Sequence, residues 1–517
     1  MKKLLTVTLV SLLVGSGIGT LEAIPAFARQ INGECKTCHF QHYPILNAYG
    51  RAFKAGGFTQ STQELIEGEG LSLSPVLNAS LFAKVRYQKT NGVDNVGQIN
   101  DGSVYDVTQR STGTNGGEVQ YPDEFAFLLG GRIGENVGMM TEVALPGPAG
   151  VAGFKMPIMF DLAGGKVGVV PFITDNLGSG YGFELFNTGN ARNVRVMEHR
   201  TDTSAQQFVG VDGAATGFAF VYYTDMFHVA LTKWSPEFAS TTEPNANLLR
   251  VGITPGSMGG FDVGIGFSNW FGTTKIDDGT GHEMTVEPKA MAADLQLQGE
   301  AAGMPVGVYV TWAKTTGTER NLRFVDAGGG ALGTTMMSGP ENTFNANRRD
   351  EMATALLLEV GLTPSLTVSV GMRTGDNGSN ATGESDATAN MAVFLVNAMS
   401  QGLISPAVFA GVDPAMLPIL TGILQGIEAP DLCAAGEGCI FAGPRNKDNS
   451  YTIGAAYSLY QNLRFHVEHS ARSGNKYEDN GRKSATLVNG KVVPASGQWA
   501  DGGSGDHLTT FMISAGM

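Results

Sequence analysis

The sequence predicts a mostly β protein, a transmembrane β-barrel of 16–18 antiparallel strands that follows a short helical segment. Three observations predict it. Short segments alternate apolar and polar residues with period two. Their connections alternate between tight turns and long polar loops. Past residue 28, no apolar stretch reaches the roughly 20 residues that a spanning helix needs.

The chain opens on Met1-Lys2-Lys3, an apolar run from Leu4 to about Leu21, and Ala26-Phe27-Ala28. A basic start, an apolar core and a small-x-small site read as a secretory signal, residues 1–28, removed after Ala28. Ser11, Gly15, Ser16, Gly17 and Gly19 dilute the run and argue against a retained anchor. Two lysines and one glutamate leave with it, taking the formal charge from −14 to −15. An acidic chain without a basic patch is a poor partner for nucleic acid and a fair attractor of cations.

Residues 29–70 hold the chemistry. Cys35-Lys36-Thr37-Cys38-His39 is the attachment pattern of a c-type haem: two thiols bind the macrocycle and the histidine that follows ligates the iron. Pro44, Leu46-Asn47, Gly50-Arg51 and Phe53-Lys54 read as a turn into a short amphipathic helix that stops at Gly56-Gly57. About 40 residues rarely make a stable core of their own, so another part of the chain must cover the haem. A Cys2His2 zinc site from Cys35, Cys38, His39 and His42 meets the ligand count but crowds its ligands. His42, three residues past His39, reads as a propionate or solvent contact.

Residues 71–517 carry the barrel pattern. Leu81–Gln88, Phe261–Phe267, Asp294–Gln298 and Arg464–Glu468 alternate, and Leu508–Met517 ends the chain in the same way. Tight turns are expected at Gly134-Glu135-Asn136, Gly164-Gly165, Thr254-Pro255, Thr363-Pro364-Ser365 and Gln461-Asn462. Long loops are expected at about 90–122, 235–246, 270–287, 316–349, 374–448 and 471–505; the stretch 174–224 reads ambiguously. The 374–448 loop carries helical signals of its own, with Asp413-Pro414 before Met416–Ile427, and reads as an extracellular insertion. Cys433 and Cys439, six apart in an exported chain, are expected to form a local disulfide. A soluble sandwich or propeller would account for the alternation, but not for two classes of loop.

A barrel of this size leaves a wide lumen, and its apolar band is about 25 Å tall. Electron tunnelling falls steeply with distance. The N-terminal segment is therefore expected inside the barrel or at its mouth, where a haem both finds cover and divides the gap.

The run Cys35-Lys36-Thr37-Cys38-His39 with Pro44, Leu46-Asn47, Gly50-Arg51, Phe53-Lys54 and Gly57-Phe58 resembles the N-terminus of the fused monohaem cytochrome c–porins of the outer membrane, best known as Fe(II) oxidases of iron-oxidising bacteria. The match covers about 30 residues; beyond them the likeness is one of architecture, a signal, one haem motif and a porin-like barrel. The resemblance implies an Fe(II):cytochrome c oxidoreductase of the Gram-negative outer membrane, embedded in its lipid. One electron would pass from extracellular Fe(II) to the haem and on to a periplasmic c-type cytochrome, with no general acid, base or nucleophile. A haem-plugged diffusion porin, and a fusion that passes electrons outward, are the alternatives.

The haem's distal ligand is open. Inward-facing candidates, opposite in parity to the apolar face, are His228, His466, Met140 and Met159. His199, His282, His469 and His507 fall in loops or at rims. Lys84, Arg86, Arg132, Glu142, Asp262, Asp294, Glu359 and Glu468 share the inward parity and are expected to pair across the lumen rather than to line a cation path.

Overall fold

The computed structural model describes residues 25–69, 71–75, 78–90, 117–145, 150–174, 182–189, 204–209, 211, 214–238, 243–277, 283–316, 351–376, 447–473, 485–488, 491–494 and 507–517. The signal up to Ile24, the Cys433/Cys439 pair, His199, His282 and most of the 374–448 loop lie outside them.

Among the described residues, seventeen strand segments form one closed antiparallel barrel. Gly150–Lys155 and Ile158–Leu162 both pair with Gly165–Thr174, so they are two halves of one stave and the barrel has sixteen staves. Ala79–Thr90 pairs with His507–Gly516 and closes the ring. Met517 extends that seam, donating its N–H to the Leu81 carbonyl at 2.9 Å. Closure satisfies every strand edge, which is what a sheet surrounded by hydrocarbon requires.

Period two sorts the side chains. In Met304–Thr315, Tyr309, Thr311 and Ala313 point inward and are buried, with Val308 and Val310 between them on the other face. Ile265, Phe267, Val370, Ile453, Phe465, Phe511 and Ile513 stand exposed on the outside. Such an apolar outer band suits lipid.

Turns at 133–137, 163–164, 259–260, 302–303, 362–365 and 461–462 share one rim, and the long connections share the other. The expectation at Thr254-Pro255 fails. The strand Ala246–Met258 runs through both residues and turns at Gly259-Gly260. Its neighbour Phe227–Ser235 has already ended opposite Ile253, and the register shifts between Ile253 and Gly256. Pro255, which has no N–H, thus sits where no partner strand asks for one. The turn before the strand Phe227–Ser235 is 224–226, at the end of the ambiguous stretch.

Two inserts meet the inward faces. From the short-turn end comes the N-terminal segment, with helices α1 (Pro25–Ile31), α2 (Cys35–Cys38) and α3 (Ala48–Ala55). From the long-loop end comes the connection after Thr174, which buries Phe183, Leu185 and Phe186 and then α4 (Ala205–Phe208). Phe208, Val209 and Val211 pack with Trp234 and Trp270 against inward-facing Ala246, Ala290, Ala292, Ala313 and Ala353. The wall is small where the insert is large.

Candidate cofactor site

The single turn of α2 places Cys35 and Cys38 three apart, hence on one side. Glu34 donates its N–H to Thr37 Oγ1 at 3.2 Å at the start of the turn, and His39 closes it, its N–H donating to the Cys35 carbonyl at 3.0 Å. The chain then doubles back. His39 forms an antiparallel bridge with Leu46, Phe40 N–H donates to the Ile45 carbonyl at 2.8 Å and Asn47 N–H to the Cys38 carbonyl at 2.9 Å. Asn47 locks the two helices together. Its Oδ1 accepts from Gly50 N–H at 2.9 Å as the cap of α3, and its Nδ2 donates to the carbonyls of Lys36 and Thr37. Gly50 is required at the crossing, because a Cβ there would collide with the Cys38 carbonyl.

The rim of the barrel holds this hairpin. Cys35 N–H donates to Gln461 Oε1 at 2.9 Å, Lys36 Nζ to the Pro364 carbonyl at 2.6 Å and Gln41 Nε2 to the Pro305 carbonyl at 3.3 Å, two acceptors in short turns and one at the start of a strand just past a third. Deeper contacts follow. Tyr43 Oη meets Ser514 Oγ at 2.6 Å, Arg464 Nη1 donates to the Tyr43 carbonyl at 3.0 Å, and Arg51 reaches Gln298 Oε1 at 3.1 Å and the Asp262 carboxylate. An aromatic trio anchors the segment: Phe27 stacks on Phe58 at 4.9 Å and meets Phe53 edge-on at 5.3 Å. Cleavage after Ala28 would leave Phe53 and Phe58 of the three.

Cys35 and Cys38 are free and half-buried. Burial raises both thiols, Cys38 to about 11 with Cys35 adding to the effect. They stay protonated at neutral pH, as S–H groups that can add across a vinyl rather than as metal-binding thiolates. Burial pushes the His39 imidazole down to about 4, so it is neutral and able to ligate. Its Nδ1 is buried without a hydrogen bond of normal geometry, although the carbonyls of Ile45 and Pro44 face the ring. Two thiols on one side of a turn and a neutral imidazole directly after them fit covalent haem. Zinc fits poorly, because His42 turns away, and among the described residues no three His, Cys, Asp or Glu side chains converge.

His42 is buried, not solvent-facing. Its Nδ1 lies 2.6 Å from the Tyr43 carbonyl, which can only accept, so Nδ1 carries a proton. Its Nε2 lies 3.0 Å from Glu359 Oε1, so one further proton is shared between imidazole and carboxyl.

All four distal candidates are buried in inward-facing positions, in different surroundings. Met140 shares an apolar cluster with Phe53, Phe58 and Cys38. His466 Nε2 meets Ser514 Oγ at 2.9 Å, the same hydroxyl that binds Tyr43. Met159 packs under Gly57 at the end of α3, and His228 stands edge-on to Phe186, its Nε2 without a partner. The charges pair locally rather than across an open lumen. Lys84 meets Glu124 at 2.7 Å and Arg86 meets Asp123 at 2.6 Å on the adjoining strand. Asp294 meets Arg250 at 2.5 Å, which Glu184 of the long-loop insert completes at 2.8 Å. Glu359 and Asp262 pair with His42 and Arg51 of the N-terminal segment, Arg132 donates to the Thr59 carbonyl at 2.9 Å, and Glu142 and Glu468 are buried.

The sequence matches no protein-family model and no curated protein. Solved structures similar to the chain include OmpT of Vibrio cholerae, at 9% identity and a TM-score of 0.42 over 88% of this chain and 100% of that one. Salmonella typhi OmpF, solved with daunomycin, gives 10% and 0.40 over 88% and 100%. The outer membrane protein OprD of Pseudomonas aeruginosa gives 11% and 0.37 over 89% and 97%.

The sequence reading did not single out Asn187 or Tyr43, and it placed Gln461 in a turn and Arg464 in a strand without linking either to the motif. Asn187 lies in the ambiguous stretch, and the rest carry no local signal, because their partners lie hundreds of residues away.

Proposed function

We propose that the chain is an outer-membrane electron conduit: one c-type haem, held covalently by Cys35 and Cys38 and ligated by His39, serves the one-electron oxidation of extracellular Fe(II) with transfer to a periplasmic c-type cytochrome. The observation that carries this reading is that the Cys35-Lys36-Thr37-Cys38-His39 turn, which has the spacing of a covalent haem site, belongs to a segment seated on the inward-facing side chains of a closed, lipid-suited barrel. On this reading the short-turn rim faces the periplasm and the long loops face outward. Haem bound there supplies reversible one-electron chemistry at a potential set by ligation, burial and local charge.

The chain's own residues do the rest. Cys35 and Cys38 fix the group at the mouth, and His39 offers a neutral imidazole. Arg464 and the His42–Glu359 pair set the charge beside it. Fe(II) leaves as Fe(III), having lost one electron; the acceptor cytochrome gains that electron, and no proton has to move. Iron as donor rests on the resemblance of residues 35–58. The inserts packed against the inward faces favour a plugged conduit over an open diffusion channel.

The test is a spectrum of the oxidised, detergent-purified protein during anaerobic addition of Fe(II). Sharpening of the c-type bands to the reduced form within seconds is expected. If dithionite reduces the haem and Fe(II) does not, the barrel and the haem stand and iron is not the donor.

A further inference from the structure

The folded foot of the N-terminal segment begins ahead of the small-x-small site at which the leader is expected to end. α1 starts at Pro25, so Ala26-Phe27-Ala28 lies within its first turn. Pro25 packs beside Gly516, and the Ala26 N–H donates to Ser80 Oγ at 3.4 Å, which sets both residues on the two strands that close the ring. Ala26 is wholly buried. The Phe27 ring stacks on Phe58, meets Phe53 edge-on and lies so close to Gly130 that a Cβ there would collide with it. Ala26 and Phe27 pack in the cluster that also holds Tyr43 and Cys38, so they back the attachment motif itself.

Removal of residues 25–28 would leave α1 only Arg29, Gln30 and Ile31, less than one helical turn. Gln30 is wholly buried and its amide is fully used. Its Nε2 donates to the carbonyls of Phe58 and Gln60, both at 2.7 Å, and its Oε1 accepts from Asn78 Nδ2 at 3.0 Å and Arg132 N–H at 3.1 Å. After a cut at Ala28 this knot would stand at the second residue of the chain, where ends fray unless tied down. Phe53, Phe58 and Gly130 would lose the ring that covers them.

The leader offers a cut farther upstream. Its apolar core is densest over Leu4–Val14, within the roughly 7–15 residues usual for an export signal. Gly17-Ile18-Gly19 is a small-x-small site close behind that core, whereas Ala28 lies beyond Val14 by more than the core's own length.

We infer that the leader is cut upstream of Pro25, with Gly19–Thr20 as the expected bond, and that Pro25–Ala28 stay in the exported protein as part of its core. In this step a leader peptidase adds water across the peptide bond. The Gly19 carbonyl carbon gains a hydroxyl and becomes the leader's carboxyl end; the bonding pair leaves with the Thr20 nitrogen, which takes up a proton and becomes the new amino end.

The experiment exports the full-length chain with its own leader and purifies it from the outer membrane in detergent. The α-amine is labelled, the chain is digested and the labelled peptide is read by mass; haem content has no bearing on this readout. A first residue of Thr20 is expected, and any first residue from Gly15 to Pro25 keeps Phe27 and upholds the inference. A first residue of Arg29, or an uncut Met1, overturns it. Two variants add independent readings. Ala28→Leu removes the small residue that a cut after position 28 needs; an unchanged first residue is expected, and accumulation of uncut precursor overturns the inference. Phe27→Ala should shorten the half-life of residues 35–47 against protease by about tenfold or more, because a core aromatic is lost. A half-life equal to wild type overturns the inference, since a residue discarded with the leader cannot act on the finished fold. Where Phe27→Ala does not assemble, the wild-type peptide and Ala28→Leu decide alone.

Discussion

The two inserts share one barrel; polar bonds such as Glu184–Arg250 and Thr188–Asp294 tie the long-loop insert too, but its tip and the attachment motif are held by different means. α4 and the residues after it are seated by apolar fit: Phe208, Val209 and Val211 fill the space left by a wall of alanines and are backed by Trp234 and Trp270. The N-terminal segment keeps an apolar foot, Phe27, Phe53 and Phe58, but its motif is hung on polar bonds to turn carbonyls, Ser514, Arg464 and Glu359. Apolar packing seals without direction, whereas hydrogen bonds fix orientation. The α4 tip is sealed; the attachment motif is aimed.

Experiments can break that contrast at either end. The largest effect is expected at the aimed insert. His39→Ala should abolish the normal c-type spectrum, and an unaltered spectrum would sink the ligand assignment. Next comes the sealed insert, where Phe208→Ala should loosen packing by about 3–5 kcal/mol. It should show as faster hydrogen exchange over 204–211 and raised ion conductance in planar bilayers. Wild-type conductance as high as that of the variant would speak for a diffusion porin instead.

A smaller effect distinguishes the inserts by pH. In haem-free protein the His39 imidazole titrates at about 4 against an ordinary 6.5, so the unfolded segment binds more protons between those values. Stability of the N-terminal segment should fall as pH drops from about 6.5 to about 4, read as protease sensitivity around residues 35–47. His39→Ala should remove that dependence, and the exchange rate at 204–211 should ignore it. The smallest effect is expected from Gln461→Ala. That side chain ties Cys35 N–H and Glu34 Oε2 at the rim, where water competes, so a loss of about 1 kcal/mol or less is expected. A loss as large as that of Phe208→Ala would show that rim bonds, not the aromatic foot, hold the segment.

Much of the wall was legible because a strand's period is local. Alternation at 81–88 or 261–267 needs no knowledge of a partner, and Gly and Asn at tight turns announce themselves. Thr254-Pro255 misled for the same reason. Its turn-like chemistry is real, but a neighbour that stops at Phe227 lets the strand run on through a bulge. The stretch 174–224 could not be read. An insert that packs inward borrows its partners from distant strands, and its apolar residues obey no single period. Expected cross-lumen ion pairs became pairs with inserts and adjoining strands, since parity tells which way a charge points but not what stands in front of it.

The sequence by itself determined the attachment motif, a barrel wall of 16–18 strands, the faces of the segments that alternate cleanly and the helix after Leu46-Asn47. These follow from spacing along the chain, and spacing is written in the residues. Only the tertiary structure decided that His42 is spent on Glu359, that alanines face Phe208, and that Asn187 from one rim grips Leu46 from the other. The first joins residues 317 apart and the last residues 141 apart; a one-dimensional pattern names the side chains but not which of them the closing of the barrel will bring together.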